Sequence, residues 1–180
     1  TGKIGDIFAR IMAGFGCTLV GYDRYPTPAF EALGGRYIGV DELLACSDVV
    51  SLHCPLLEET HHIVNAAALA RVKRGCVLVN TSRGGLVDTE AAVQALKTGQ
   101  LGGLAIDVYE QEASLFFQDL SSTIITDDVI QRLVSFPNVI VTGHQAFFTL
   151  EAIGQIMRTT IESISAFERG EALVNRVPRA

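Results

Sequence analysis

No apolar run in this chain reaches the roughly 18 consecutive residues that a membrane-spanning helix needs. Positive charge is also in deficit: 14 Lys and Arg stand against 20 Asp and Glu, a formal net charge of −6. A phosphate-backbone partner calls for the opposite sign. Neither a membrane span nor a nucleic-acid surface is therefore expected. Charge of either sign is sparse, 19% of residues against 48% apolar, which excludes a disordered chain. Internal repeats and low-complexity segments are missing too, and any targeting signal is expected upstream of Thr1. The four cysteines, Cys17, Cys46, Cys54 and Cys76, include no C-x-x-C pair. Zinc and thioredoxin-like chemistry thus lack support, and reduced, structural thiols in a cytoplasmic protein are expected.

What is present is enough for one domain with a full core, 180 residues. A mean hydropathy of +0.32 suits a parallel sheet buried on both faces. Ile4, Ile7, Phe8, Ile11, Met12 and Phe15 recur in steps of three and four, one face of a helix. The strand-like run CTLVGYD follows, and then RYIGV, VVSLH, CVLVN, GLAIDVY and NVIVTG. Helical stretches lie between most of them: DELLAC, NAAALARVKRG and TEAAVQALKTG. Gly75 and Gly99 sit where helix C-terminal glycines belong, and Asp88 reads as a helix N-cap. Alternating strand and helix predicts an α/β fold with a mostly parallel sheet. One connection breaks the rhythm, EASLFFQDLSSTIITDDVIQRLVSFP; loops of that length are often functional. Within it a short helix capped by Asp127 or Asp128 is expected. Ile153, Ile156, Met157, Thr160, Ile161, Ile164 and Phe167 then share one face of a long amphipathic helix.

Three polar residues stand just beyond three of the strand-like runs: Arg83, Glu112 and His144. In a parallel sheet that edge is where ligands bind. A guanidinium matches a carboxylate with two parallel donors. An imidazole can move a proton near neutral pH, and a carboxylate can orient it. Together they suit reduction of a 2-oxo acid. Each also has a plainer reading: an arginine bonding loop carbonyls, a hydrogen-bonded structural histidine, a solvated acid. Glu110, two residues from Glu112, is a rival for the carboxylate role.

The chain opens with Thr1-Gly2-Lys3-Ile4-Gly5 and passes straight into a helix. With one more glycine ahead this would be G-x-G-x-x-G, the dinucleotide fingerprint. Asp23 closes the following strand at the spacing the fingerprint needs for a ribose-binding acid. A carboxylate there favours NAD over NADP, although Arg24 beside it could accommodate a 2′-phosphate. The expectation is a chain that starts inside the fingerprint, a piece of a longer protein. Its sheet would then lack the central first strand and carry two unpaired inner edges.

With TGKIG, YDRYP, SLHCPL, LVNTSRGGLVD, GLAIDVYEQE and TGHQAFFT, the chain resembles the cofactor-binding domain of the D-2-hydroxyacid dehydrogenases from Thr1 to about Phe167. HQAFFT and the LFFQDLSSTIITDDVIQRL insertion resemble the D-lactate branch of that family. The resemblance implies a Rossmann-like doubly wound parallel sheet, NAD as cofactor and a small 2-oxo or 2-hydroxy acid as substrate. It also implies a homodimer. Arg83 would bind substrate, His144 would be the acid–base and Glu112 its partner. Gly2, Lys3, Ile4 and Gly5 would face the pyrophosphate, and Asp23 the adenosine ribose. His53, Cys54 and Pro55 would line the adenosine side; Thr81, Ser82 and Asp107 would lie near the nicotinamide. An NAD-binding domain is expected over 1–150. A helix and tail over 151–180 would return toward a substrate domain. Other branches, such as hydroxypyruvate or glyoxylate reductases, and a non-enzymatic NAD-sensing corepressor module remain alternatives. His61 and His62 are read as surface residues and no metal is expected. Phe147 and Phe148 either wall the substrate pocket or fill core.

Overall fold

A computed structural model describes residues 1–176; the end of the expected tail lies outside them. Seven helices and six strands alternate among the described residues: α1 Lys3–Gly14, β1 Val20–Gly21, α2 Pro28–Ala32, β2 Arg36–Tyr37, α3 Val40–Cys46, β3 Val49–Leu52, α4 Ala66–Leu69, β4 Cys76–Asn80, α5 Thr89–Lys97, β5 Leu101–Ile106, α6 Asp128–Val134, β6 Val139–Val141 and α7 Leu150–Glu168. All strand pairs are parallel, as βαβ crossovers require. The chain forms two compact units that divide between His144 and Gln145.

In the first unit, β3-β4-β5-β6 make a four-stranded sheet and β1-β2 a separate pair. The doubly wound order has one strand between the positions of β1 and β3; here those two strands belong to different sheets. Val49, on the outer strand β3, is accordingly 54% exposed. The core lies on β4 and β5, where Leu78, Leu101 and Leu104 pack with Leu69, Leu86, Ala92, Leu96 and Leu133 from the connecting segments. These strands read as unbroken apolar runs because both their faces are covered.

Local signals place the helix boundaries. Asp88 caps α5 by accepting from Ala91 N–H at 2.9 Å, and Asp127, not Asp128, caps α6 by accepting from Val129 and Ile130 at 3.0 Å. Gly75 and Gly99 take φ of +83° and +70°, which a side chain would resist. The NAAALARVKRG stretch is shorter than its pattern suggests. Only Ala66–Leu69 is α-helical, capped by Asn65, after which Lys73 turns its N–H to the Leu44 carbonyl at 3.0 Å. All four cysteines are free, but only Cys76 is buried; Cys17 follows the end of α1 and Cys46 closes α3 on its open side.

The second unit is dominated by α7, capped by Thr149 Oγ1 accepting from Ala152 N–H at 3.2 Å. Ile156, Met157, Ile161, Ile164 and Phe167 along it are all at least half exposed. Phe147 and Phe148 meet edge to face, 6.1 Å apart, and are exposed at 48% and 70%; they do not fill core. No helix among the described residues is long and apolar enough to cross a membrane.

Candidate active site

Asn80, Ile106 and Val141 stand in register at the carboxyl ends of β4, β5 and β6. The chain leaves the sheet at this common edge, and the three predicted residues follow within a few positions. His144 comes after β6 with φ of +54°. That conformation costs an L-residue about 1–2 kcal/mol, and its N–H is held by the Asp107 carbonyl at 2.7 Å. Thr142 Oγ1 bonds the Asp107 carboxylate, tying the same two strand ends together. Asp107 itself is buried, with 4% of its surface exposed. It is therefore built into the scaffold at this edge.

The His144 Nδ1 lies 2.9 Å from Glu112 Oε1. The other carboxylate oxygen accepts the Tyr109 N–H at 3.0 Å. An ionised carboxylate only accepts, so in this pair Nδ1 is the donor. Both side chains are half-buried, and the Phe117 ring, from the long connection, stands 5.8 Å from the imidazole. The two acids have different partners. Glu112 touches the histidine, while Glu110 turns away and bonds Thr89 and His62.

Arg83 ends the loop after β4 and is exposed; its Nη1 donates to the Ser82 carbonyl at 2.6 Å. The loop itself is fixed by a residue that sequence reasoning missed. Asn80 is 1% exposed, donates from Nδ2 to the Arg83 carbonyl at 2.8 Å and accepts from Ser82 N–H at 3.1 Å. Its place as the last strand residue before a tight polar turn was the available signal. Ser82 Oγ then donates to the Cys54 carbonyl at 2.7 Å, joining the ends of β3 and β4. Gly84 packs so closely on the next loop that a Cβ would lie 2.2 Å from the Tyr109 carbonyl carbon. Tyr109 is anchored in turn by its hydroxyl, which donates to Asp127 at 2.8 Å. Burial first, and then that carboxylate, push the phenol above its ordinary pKa.

Of the expected cofactor residues, Gly2, Lys3, Ile4 and Gly5 lie at the start of α1, Asp23 bonds Thr1 just before it, and His53 packs against Phe8 of α1. Gly2 is its N-cap and no side chain caps the first turn. A Cβ on Gly2 would meet nothing within 4 Å. The first-turn N–H groups of a helix lack intrahelical partners and attract anions, so this end fits a pyrophosphate. Lys3 and Ile4 are exposed there and Gly5 is buried, against His53. Asp23, just after β1, accepts from Thr1 Oγ1 at 2.9 Å and Tyr25 N–H at 2.8 Å. Arg24 pairs with Glu59 at 2.8 Å. His53 lies under Phe8, ring centroids 5.3 Å apart, with Nε2 2.9 Å from Ser51 Oγ. Burial lowers its pKa and raises that of the Cys54 thiol. Pro55 and Thr81 are exposed.

The NAD binding domain model of the D-isomer specific 2-hydroxyacid dehydrogenases matches residues 1–146. A 2-hydroxyacid dehydrogenase A of Aspergillus oryzae is 55% identical over 166 residues, 92% of this chain and 48% of that protein. A D-lactate dehydrogenase of Escherichia coli is 48% identical over 177 residues, 98% of this chain and 54% of that protein. The crystal structure of a D-lactate dehydrogenase from Treponema pallidum superposes with a TM-score of 0.93 at 38% identity, covering 99% of this chain and 54% of that one. The chain spans about half the length of the curated relatives it matches. The strand-end pair and the open helix terminus agree with those likenesses: the chain belongs to the D-isomer specific 2-hydroxyacid dehydrogenase family, as its NAD binding domain.

Proposed function

We propose that this chain is the cofactor-binding part of an NAD-dependent D-2-hydroxyacid dehydrogenase of the D-lactate type, acting on a small 2-oxo acid such as pyruvate. The observation that carries the reading is the oriented pair, His144 on Glu112 at 2.9 Å, at the strand edge that also carries Arg83. NADH supplies the hydride when bound. The Arg83 fork holds the substrate carboxylate. Its charge also stabilises the negative charge that grows on the carbonyl oxygen. In its imidazolium form His144 gives that oxygen the Nε2 proton and keeps the Nδ1 proton on Glu112, which holds the ring oriented throughout. In the reverse direction His144 takes the hydroxyl proton.

The cofactor's pyrophosphate is assigned to Gly2, Lys3, Ile4 and Gly5, its adenosine ribose to Asp23 and its adenosine side to His53, Cys54 and Pro55. Thr81, Ser82 and Asp107 serve the nicotinamide end. A carboxylate at Asp23 repels a 2′-phosphate, and Glu59 occupies the arginine that would otherwise attract one; NAD is the reading these support. An NAD-binding domain over 1–150, a cytoplasmic location and a homodimer complete the proposal, the location on the free thiols and the dimer on the family resemblance.

The test is NADH oxidation by the full-length protein with pyruvate, phenylpyruvate, hydroxypyruvate and glyoxylate in turn. The highest kcat/KM is expected with pyruvate. A preference for hydroxypyruvate or glyoxylate would move the protein to another branch of the family. Cofactor binding without turnover of any of the four would refute the enzymatic reading.

A further inference from the structure

We propose that His61, His62 and Glu110 form a binding site for a divalent ion of the zinc class, separate from the dehydrogenase site and independent of that reading. One ligand atom from each of the three residues lies within 4.8 Å of the others. The convergence is built by the backbone. Adjacent side chains in extended chain point to opposite sides, but His62 takes φ of +49°, and the two imidazoles stack with centroids 3.9 Å apart. The turn is held on both flanks. His61 N–H donates to the Leu57 carbonyl at 2.9 Å, His62 N–H to the Gly85 carbonyl at 2.8 Å and Val64 N–H to the Leu86 carbonyl at 3.1 Å. A strained backbone kept in place in this way invites a functional explanation.

Glu110 arrives from the other side, after β5, and its Oε1 lies 2.6 Å from His62 Nε2. Its second oxygen is already oriented by Thr89, which donates from N–H at 3.0 Å and from Oγ1 at 2.7 Å. Outer hydrogen bonds of this kind fix a ligating carboxylate. Two imidazoles and a carboxylate with a fourth position open to solvent are a donor set suited to Zn²⁺. A tetrahedral ion draws its ligand atoms to roughly 3.3 Å apart. Exposed His61 can turn to meet it, and the ion replaces the proton between His62 and Glu110.

Because the exposed thiols Cys17 and Cys46 could hold zinc by themselves, the measurement belongs in a Cys17→Ser, Cys46→Ser background. The full-length protein is stripped with a chelator and titrated calorimetrically with ZnCl₂, with Co²⁺ as a second probe whose absorption reports tetrahedral coordination. One equivalent is expected, with a tetrahedral Co²⁺ spectrum. His61→Ala, at an exposed side chain that leaves folding intact, should weaken binding at least about 100-fold. Thr89→Val, which removes one outer bond, should weaken it about 10–100-fold. No saturable uptake, or affinity unchanged in His61→Ala, would overturn the site and leave only a proton shared between His62 and Glu110.

Discussion

The Glu112 carboxylate accepts from two donors at once, His144 Nδ1 and the Tyr109 N–H. Each oxygen has one task, so the side chain cannot be replaced by its amide without setting an N–H₂ against one of the two donors. His144→Ala should lower kcat by roughly 10²–10⁴-fold, and Glu112→Gln by less, with NADH affinity little changed in either. Turnover and cofactor titration on the full-length variants check both. A His144→Ala enzyme with wild-type turnover would remove the acid–base assignment. The placement of Arg83, Glu112 and His144 after β4, β5 and β6 was legible in the sequence, because each follows an apolar run and a parallel sheet brings such ends to one edge. The task of Glu110 was not legible. Which of two acids two positions apart meets the imidazole depends on loop dihedrals, and no pattern of residue types encodes those. Asn80 escaped for a similar reason: its work is done through backbone bonds to Ser82 and Arg83, which any polar turn residue could have made.

Two connections meet back to back beside this pair. The turn after β4, residues Gly84–Leu86, presses on the loop after β5 at Tyr109 and Glu110. Only hydrogen fits at Gly84, since a Cβ would stand 2.3 Å from the Tyr109 carbonyl oxygen and 2.5 Å from the Glu110 nitrogen. Both obstacles are backbone, which cannot swing aside as a side chain would. Gly84→Ala should therefore push apart the loops bearing Arg83 and Glu112. A loss of about 1–3 kcal/mol in stability is expected, the usual range for overpacking, together with a fall in kcat. Urea midpoints and turnover measure the two effects, and an unshifted midpoint would show that the contact is looser than it looks. Strand number, the parallel sheet and the cap at Asp88 could be read from pattern and punctuation, whereas the cap of α6 stayed open between Asp127 and Asp128 until the structure chose Asp127. Strand length could not. CTLVGYD yields two paired residues, Val20 and Gly21, because β1 pairs only with the equally short β2. The NAAALARVKRG helix stops after one turn because the segment bends toward α3.

Folding is an equilibrium of the whole molecule, and it can be read through protons that one state binds and the other does not. His53 is the clearest case. It lies between Phe8 of α1 and the end of β3, and burial lowers its pKa from the ordinary value. The unfolded chain therefore takes up this proton at a higher pH than the folded one. As pH falls from about 6.5, the unfolded histidine value, the unfolded state gains protons that the folded state refuses, and stability declines. The decline ends once pH drops below the depressed folded value and both states are protonated. This is opposite to a histidine stabilised by an acid, whose contribution would grow on acidification. His53→Gln keeps a polar group within reach of Ser51 but cannot be charged. Between about pH 8 and about pH 5 its urea midpoint should fall less steeply than that of the parent protein. Equal slopes would mean that water reaches the imidazole and that α1 does not seal this end of the sheet. The sequence placed His53 by resemblance at the adenosine side of a cofactor. Its packing under Phe8 of α1 means that the contact expected to shape the cofactor's seat is the one this pH comparison probes.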